Sequence, residues 1–169
     1  SNIVVFNEDT DITPDSGTAA ASRQTYNTGN AVKKSCYLMK DFLLEKARIE
    51  LGLNNIIGLQ LIDGVISMKT LPDKQVTLKE LYAKYGEELQ SSGSFTAQTT
   101  SLDDLGQGAP YWPYGFNALG VKVEIDPLSG RIDVVDGVFA QDVGRAINPR
   151  FIEGQMDGGF VMGLGYALY

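Results

Sequence analysis

The period of the apolar positions changes several times along this chain, and each change marks an element. Ile3–Phe6 is a short apolar run that reads as a strand, and Asn7–Asp15 is an acidic, turn-rich loop. From Asn30 to Leu51 the apolar residues Val32, Cys36, Met39, Leu43, Leu44, Ala47 and Leu51 recur at about helical spacing. Lys33, Lys34, Lys40 and Lys46 fall mostly elsewhere on that helix, and Gly52 closes it. Ile57–Leu61 and Val65–Met68 flank Asp63–Gly64, a strong hairpin signal. Thr77–Leu78–Lys79–Glu80 is a capping box that opens a second helix to about Leu89, with Leu78, Leu81, Tyr82 and Tyr85 on its apolar side. Ser91–Ser101 alternates weakly and reads as a strand with Phe95 as its inward anchor. Val121–Ile125 alternates cleanly, as a half-buried strand does; Pro127–Gly130 turns the chain, and Ile132–Ala140 returns beside it. Asn148 is a good helix N-cap and Pro149 a good first helical residue, so a third helix starts there. The sum is one α+β domain over residues 1–169, with two to three helices packed on a mixed or largely antiparallel sheet.

The third helix carries Gly154, Gly158, Gly159, Gly163 and Gly165. Inside a helix each costs roughly 0.5–1 kcal/mol against alanine. Close approach of another surface, packed backbone or ligand, is the natural compensation, and tight packing against a neighbouring element is the simplest form of it. The chain opens on Ser1–Asn2 without an initiator Met and stops inside an apolar segment at Tyr169, so both ends read as cut from a longer polypeptide.

Composition narrows the chemistry. The 169 residues are 43% hydrophobic and 21% charged, ordinary values for a globular domain, with a formal charge of −7 that argues against a nucleic-acid partner. No run reaches the roughly 18 apolar residues of a membrane helix. Cys36 is the single cysteine, so no internal disulfide forms and a cytoplasmic setting is expected. On the apolar face of its helix it reads as a buried, inert thiol. There is no histidine, which removes the commonest general base and zinc ligand.

Thr18–Thr25, small and hydroxyl-rich, precedes a helix. Successive backbone N–H groups in such a loop can face one anion, with side-chain donors from Ser22, Gln24 and Thr25 and a guanidinium fork from Arg23. A plain solvated loop is the other reading. It is neither a P-loop nor a dinucleotide fingerprint. Gln155 places an amide among helix glycines, where little side-chain bulk crowds it. Asp9, Asp11 and Asp15 lack the glycine and terminal glutamate of a calcium loop. Tyr111, Trp112 and Tyr114 share one loop and suit either an interface or a pocket wall.

Three blocks resemble the molybdenum-binding region of the xanthine dehydrogenase and aldehyde oxidase family of molybdenum hydroxylases. They are Thr18–Thr25 with Gly29–Val32; Tyr114–Ala118 with Val121–Asp126 and Gly130; and Asp142–Pro149 with Glu153–Gly159 and Gly163–Gly165. The resemblance implies a fragment of a molybdopterin-binding domain, the C-terminal part of the large subunit. It places Ala20, Ala21, Ser22, Arg23, Gln24 and Gln155 near the cofactor, so Ala20–Ser22 and Gln155 are expected to meet in space. It assigns no catalytic residue and no protein metal ligand to this chain, because the family's base glutamate would lie after Tyr169. It implies a purine, N-heterocycle or aldehyde oxidoreductase that takes oxygen from water. The partners implied are the remainder of the molybdenum-binding subunit and iron–sulfur and flavin subunits or domains. By itself the chain is expected to be inactive, to hold no molybdopterin, and to self-associate as a homodimer through its apolar C-terminal segment. A self-contained, non-catalytic binding or subunit-interaction domain is the alternative.

Overall fold

A computed structural model describes residues 3–169; Ser1 and Asn2 lie outside them. The chain divides into two compact units, Ser1–Gln98 and Thr99–Tyr169.

In the first unit a helix, α1 (Gly29–Glu50), precedes three strands, β1 (Leu59–Ile62), β2 (Val65–Met68) and β3 (Leu71–Thr77), and a second helix, α2 (Leu78–Tyr85). The strands form one antiparallel sheet in the order β1-β2-β3. Asp63 and Gly64 both take positive φ, 48° and 81°, as a two-residue turn matching the twist of its strands requires. Leu43, Leu44, Ala47 and Leu51 meet Leu59, Ile66, Val76 and Leu81 in a core in which Ala47, Ile66 and Leu81 are wholly buried. Thr77 caps α2 as its sequence predicts. Its hydroxyl accepts the Glu80 N–H at 3.2 Å, and the Glu80 carboxylate accepts the Thr77 N–H at 2.8 Å. The helix ends at Tyr85, short of Leu89, and tightens into a 3₁₀ turn over Gly86–Glu88.

Four expectations change in this unit. Ile3–Phe6 forms no strand, since no strand among the described residues pairs with it. β3 is an unanticipated strand; Pro72 and Asp73 disguise it, and both are tolerated because β3 is an edge. Ser91–Ser101 is extended but unpaired. Its residues 91–97 alternate between half-buried and exposed because that stretch lies along α1 rather than in a sheet. There the Ser35 hydroxyl donates to the Ser91 carbonyl at 3.2 Å, and Phe95 stands edge-on to Tyr26 with ring centres 5.2 Å apart. A Cβ on Gly93 would fall 2.6 Å from the Ser35 backbone nitrogen, so only glycine fits at that crossing. Cys36 is exposed, not buried. The sheet covers only the later turns of α1, and near its start the half-buried positions are Ala31 and Ser35, rotated away from Val32 and Cys36.

Glu50 of α1 ties that helix to α2. The Glu50 carboxylate accepts the Tyr85 hydroxyl at 2.6 Å and pairs with Lys84 at 2.7 Å. The Lys84 hydrogen bond, then the Tyr85 hydroxyl, hold the Glu50 carboxyl below the ordinary carboxylate range. Glu50 in turn raises Lys84 and Tyr85. Because the Glu50 carboxyl is more acidic folded than unfolded, its contribution is whole above the ordinary carboxylate range, near pH ~4.3. It is lost as pH falls through the lowered folded value. The Lys84 contribution is whole below its ordinary value and is lost as pH rises through the raised one. Thermal unfolding of the first unit followed by circular dichroism from pH 7 to 3 is therefore expected to show an acid-side loss of stability that Glu50→Gln makes shallower; equal slopes in both proteins would refute the assignment.

The second unit is an antiparallel hairpin, β4 (Phe116–Ile125) and β5 (Ile132–Asp142), followed by helix α3 (Pro149–Leu168). Val135 is the extra residue of a bulge opposite Lys122 and Val123. Asn148 caps α3 by accepting the Phe151 N–H at 3.4 Å, and Pro149 takes the first turn. Ile152, Met156, Phe160 and Leu164, four residues apart, make the half-buried stripe of α3, and Phe160 meets Phe139 of β5 edge-on with centres 5.0 Å apart. Val121, Val123 and Ile125 are exposed rather than half-buried, because a two-stranded hairpin with one helix against it covers little of its apolar face. The α3 glycines are not explained by packing within the second unit: among the described residues a Cβ at any of the five meets no atom within 4 Å.

Candidate functional site

Just before α1 the chain is shaped by Ser16–Thr28. Ala21 and Ser22 take φ of 51° and 58°, and the Arg23 N–H donates back to the Ala20 carbonyl at 3.0 Å. This is the geometry of a mirror-image turn, normally made by Asn-Gly or Gly-Gly. Placing alanine and serine there costs of order 1–2 kcal/mol per residue. Strain of this kind collects where a backbone is shaped for a ligand. Among the described residues neither the Ala21 nor the Ser22 N–H has a hydrogen-bond partner, and the Ser22 hydroxyl has none. Three donors therefore stand on one exposed turn. A π-helical turn, Gln24–Thr28, joins it to α1, a widening often found beside functional sites.

The neighbouring polar side chains are occupied. The Gln24 amide oxygen accepts the Ser16 hydroxyl at 3.1 Å and the Thr28 hydroxyl at 2.7 Å, and its nitrogen lies 3.4 Å from the Gly17 carbonyl. The Arg23 guanidinium covers Gly17, with one nitrogen 3.2 Å from where a Cβ would stand. Asp15 accepts the Gly17 N–H at 2.7 Å and so fixes the start of the loop.

Gln155 belongs to the second unit, on α3, and is exposed. It does not line the cleft of that unit. That cleft, about 310 Å³, lies where β5 runs into α3, and Gln141, Asp142, Gly144, Glu153 and Met156 are among its walls. Gly144, at φ 68°, makes the bend, and the Asp142 carboxylate accepts its N–H at 2.8 Å. Gln141 and Glu153, in the same glycine-punctuated block as Gln155, are polar residues of the cleft wall. No group of three or more Asp, Glu, Cys or His residues among the described ones is arranged to hold a metal, and no helix is long and apolar enough to cross a membrane.

Residues 1–169 match the molybdopterin cofactor-binding domain, and the chain belongs to that family. It is 28% identical over 167 residues to the xanthine dehydrogenase molybdenum-binding subunit of Escherichia coli O157:H7, covering 98% of this chain and 21% of that protein. It is 30% identical over 178 residues to the 6-hydroxypseudooxynicotine dehydrogenase complex subunit gamma of Paenarthrobacter nicotinovorans, covering 99% and 21%. With aldehyde oxidase 1 of Oryctolagus cuniculus the identity is 35% over 78 residues, 46% of this chain and 6% of that protein. The chain spans about a fifth of the length of the first two relatives.

Molybdopterin carries a phosphate and a pterin rich in hydrogen-bonding atoms. The N–H groups of Ala21 and Ser22 and the Ser22 hydroxyl are exposed donors on one turn, the kind of group such a ligand takes.

Proposed function

We propose that this chain supplies part of the molybdopterin cage of a molybdenum hydroxylase acting on purines, other N-heterocycles or aldehydes, with oxygen from water. The observation that carries the reading is the Ala20–Ser22 turn, strained and exposed, in a chain of the molybdopterin-binding family. The bound cofactor would supply the oxygen-transfer and redox chemistry; this chain's residues bind and orient it. Ala21 and Ser22 would hold the cofactor through their backbone N–H groups and the Ser22 hydroxyl, and Arg23 would add positive charge beside them. Gln155 would be a further cofactor contact, a role supported by its place on the glycine-rich helix. Iron–sulfur and flavin partners would carry the electrons away; the single cysteine of this chain cannot hold a cluster. The setting is the cytoplasm.

The cage is complete only with the remainder of the molybdenum-binding subunit. Elemental analysis of protein produced alongside a working cofactor pathway tests this. The expected result is negligible molybdenum in the chain alone and near-stoichiometric molybdenum in the longer subunit that contains it. Molybdenum held by the chain alone would show that no second part is needed; molybdenum absent from both would remove the cofactor reading.

Alone, the chain is proposed to pair with itself. Val161, Met162, Tyr166 and Tyr169 are exposed along and beyond the end of α3, and exposed apolar surface of this kind seeks cover. Light scattering over a dilution series is expected to give a dimer mass that falls to the monomer at low concentration. A monomer mass well above micromolar concentration would overturn it.

A further inference from the structure

We infer that Gln24 is a positioning residue, a staple that closes the loop and presents the turn's donors, rather than a group that touches the cofactor. This deepens the cofactor reading above and rests on it for its functional meaning. Gln24 sits at the first position of the π-helical turn, where its side chain reaches back over the loop. Its amide makes three different kinds of contact at once. The oxygen accepts the Thr28 hydroxyl one turn ahead at 2.7 Å, the Ser16 hydroxyl lies 3.1 Å from that oxygen and 3.0 Å from the nitrogen, and the nitrogen also reaches the Gly17 carbonyl at 3.4 Å. The bonds thus span from the start of the loop to the helix, eight residues one way and four the other.

Only an amide does this. A carboxylate accepts but does not donate, an ammonium donates but does not accept, and an apolar chain does neither. Between the two anchor points lie Ala21 and Ser22 in left-handed backbone, which relaxes if the loop is free to open. The staple holds them there, on the exposed side of the loop. A side chain already committed to Ser16, Gly17 and Thr28 has little left to offer a ligand. Preorganised donors bind better than donors that must be ordered on binding, so Gln24 acts on affinity through the turn.

Trypsin reads the loop directly, because Arg23 is a cleavage site inside it and Arg131, in the exposed turn of the second unit's hairpin, is an internal reference. Cleavage inside a closed loop tracks the fraction of molecules that open it. Ser16→Ala removes one end of the staple without touching the scissile bond, and Ser16→Thr keeps the hydroxyl. On the cofactor-free chain, followed by mass spectrometry, Ser16→Ala is expected to speed cleavage after Arg23 by roughly five- to tenfold, the scale of one lost hydrogen bond. Cleavage after Arg131 should be unchanged, and Ser16→Thr should restore the parent rate. Gln24→Met, which keeps length and helix propensity, should open the loop at least as much. Adding Ser16→Ala to Gln24→Met should then change nothing further, because the two share their bonds. Equal Arg23 cleavage in the parent, Ser16→Ala and Gln24→Met proteins would overturn the staple, as would additive effects in the double variant. None of these rates depends on cofactor, so the staple and the cofactor reading fail separately.

Discussion

Leu81→Ala is expected to cost the first unit about 2–5 kcal/mol, the range for emptying a leucine site that cannot collapse. Leu81 is wholly buried, and it stands in the one cluster where α1, α2 and all three strands meet. The loss is large because the surroundings are stiff. Ile66 of β2 is also wholly buried there, and Ala47 of α1 offers no side chain able to swing into the gap. Domains of this size have total stabilities of only about 5–15 kcal/mol, so the variant sits near the edge of folding. Ile66→Val, which removes one methyl group, provides a graded control at about 0.5–1.5 kcal/mol. Urea unfolding monitored by far-ultraviolet circular dichroism gives both values. Two equal, small losses would mean that this cluster is not the unit's core. The consequence reaches the candidate site. The π-helical turn that carries Gln24 runs without a break into α1, and α1 is held by its later turns against this cluster. A loosened core therefore frees the base on which the Ala20–Ser22 turn stands.

Local chemistry was legible in the sequence wherever a few adjacent residues decide the geometry. Asp63–Gly64 dictates a tight turn, Thr77 and Glu80 satisfy each other's backbone, and Asn148–Pro149 starts a helix whatever surrounds it. What depended on distant residues was harder to read. β3 hides behind Pro72, Asp73 and Lys74, which are acceptable only because the strand turns out to be an edge. Ser91–Ala97 has the alternation of a strand, yet its partner is the backbone of α1 around Ala31 and Ser35, a contact that Gly93 permits. The same contact explains Cys36. Helical period gives the spacing of an apolar stripe but not which side a neighbour will cover, and the covered side near the start of α1 is set by residues sixty positions later.

The candidate site divides along the same line. Resemblance to a family singled out Ala20–Gln24 as a block, and the turn within it is indeed unusual. Nothing in the block itself distinguishes a residue that faces a ligand from one that holds the loop. Ser22 and Gln24 are both polar and two positions apart. The difference is made by Ser16 and Thr28, which occupy Gln24 and leave Ser22 free. In the second unit, Gln155 drew notice for its glycine neighbours, while the cleft is walled by Gln141 and Glu153, one from the end of a strand and one a helical turn from the N-cap.

The triple variant Gly154→Ala/Gly158→Ala/Gly159→Ala is expected to stabilise the second unit of the chain alone by about 1.5–3 kcal/mol, three times the ordinary glycine penalty in a helix. No compensating loss is in view, because a methyl group at each position meets no atom within 4 Å. Gly154 and Gly158, one turn apart, also fall on the side of α3 away from its half-buried stripe of Ile152, Met156 and Phe160. A helix that carries such a cost without using it within its own unit, among the described residues, offers that side to another surface. In the molybdenum-binding subunit proposed above to contain the chain, the same three methyl groups are expected to lower molybdenum content by displacing whatever surface approaches the glycines. The two measurements pull in opposite directions and separate the explanations. Higher stability with unchanged molybdenum would mean that these glycines face solvent in the subunit as well. No gain in stability in the isolated chain would mean that α3 is already held by contacts other than its own backbone. Gain in one and loss in the other is the result that the bare glycine face predicts.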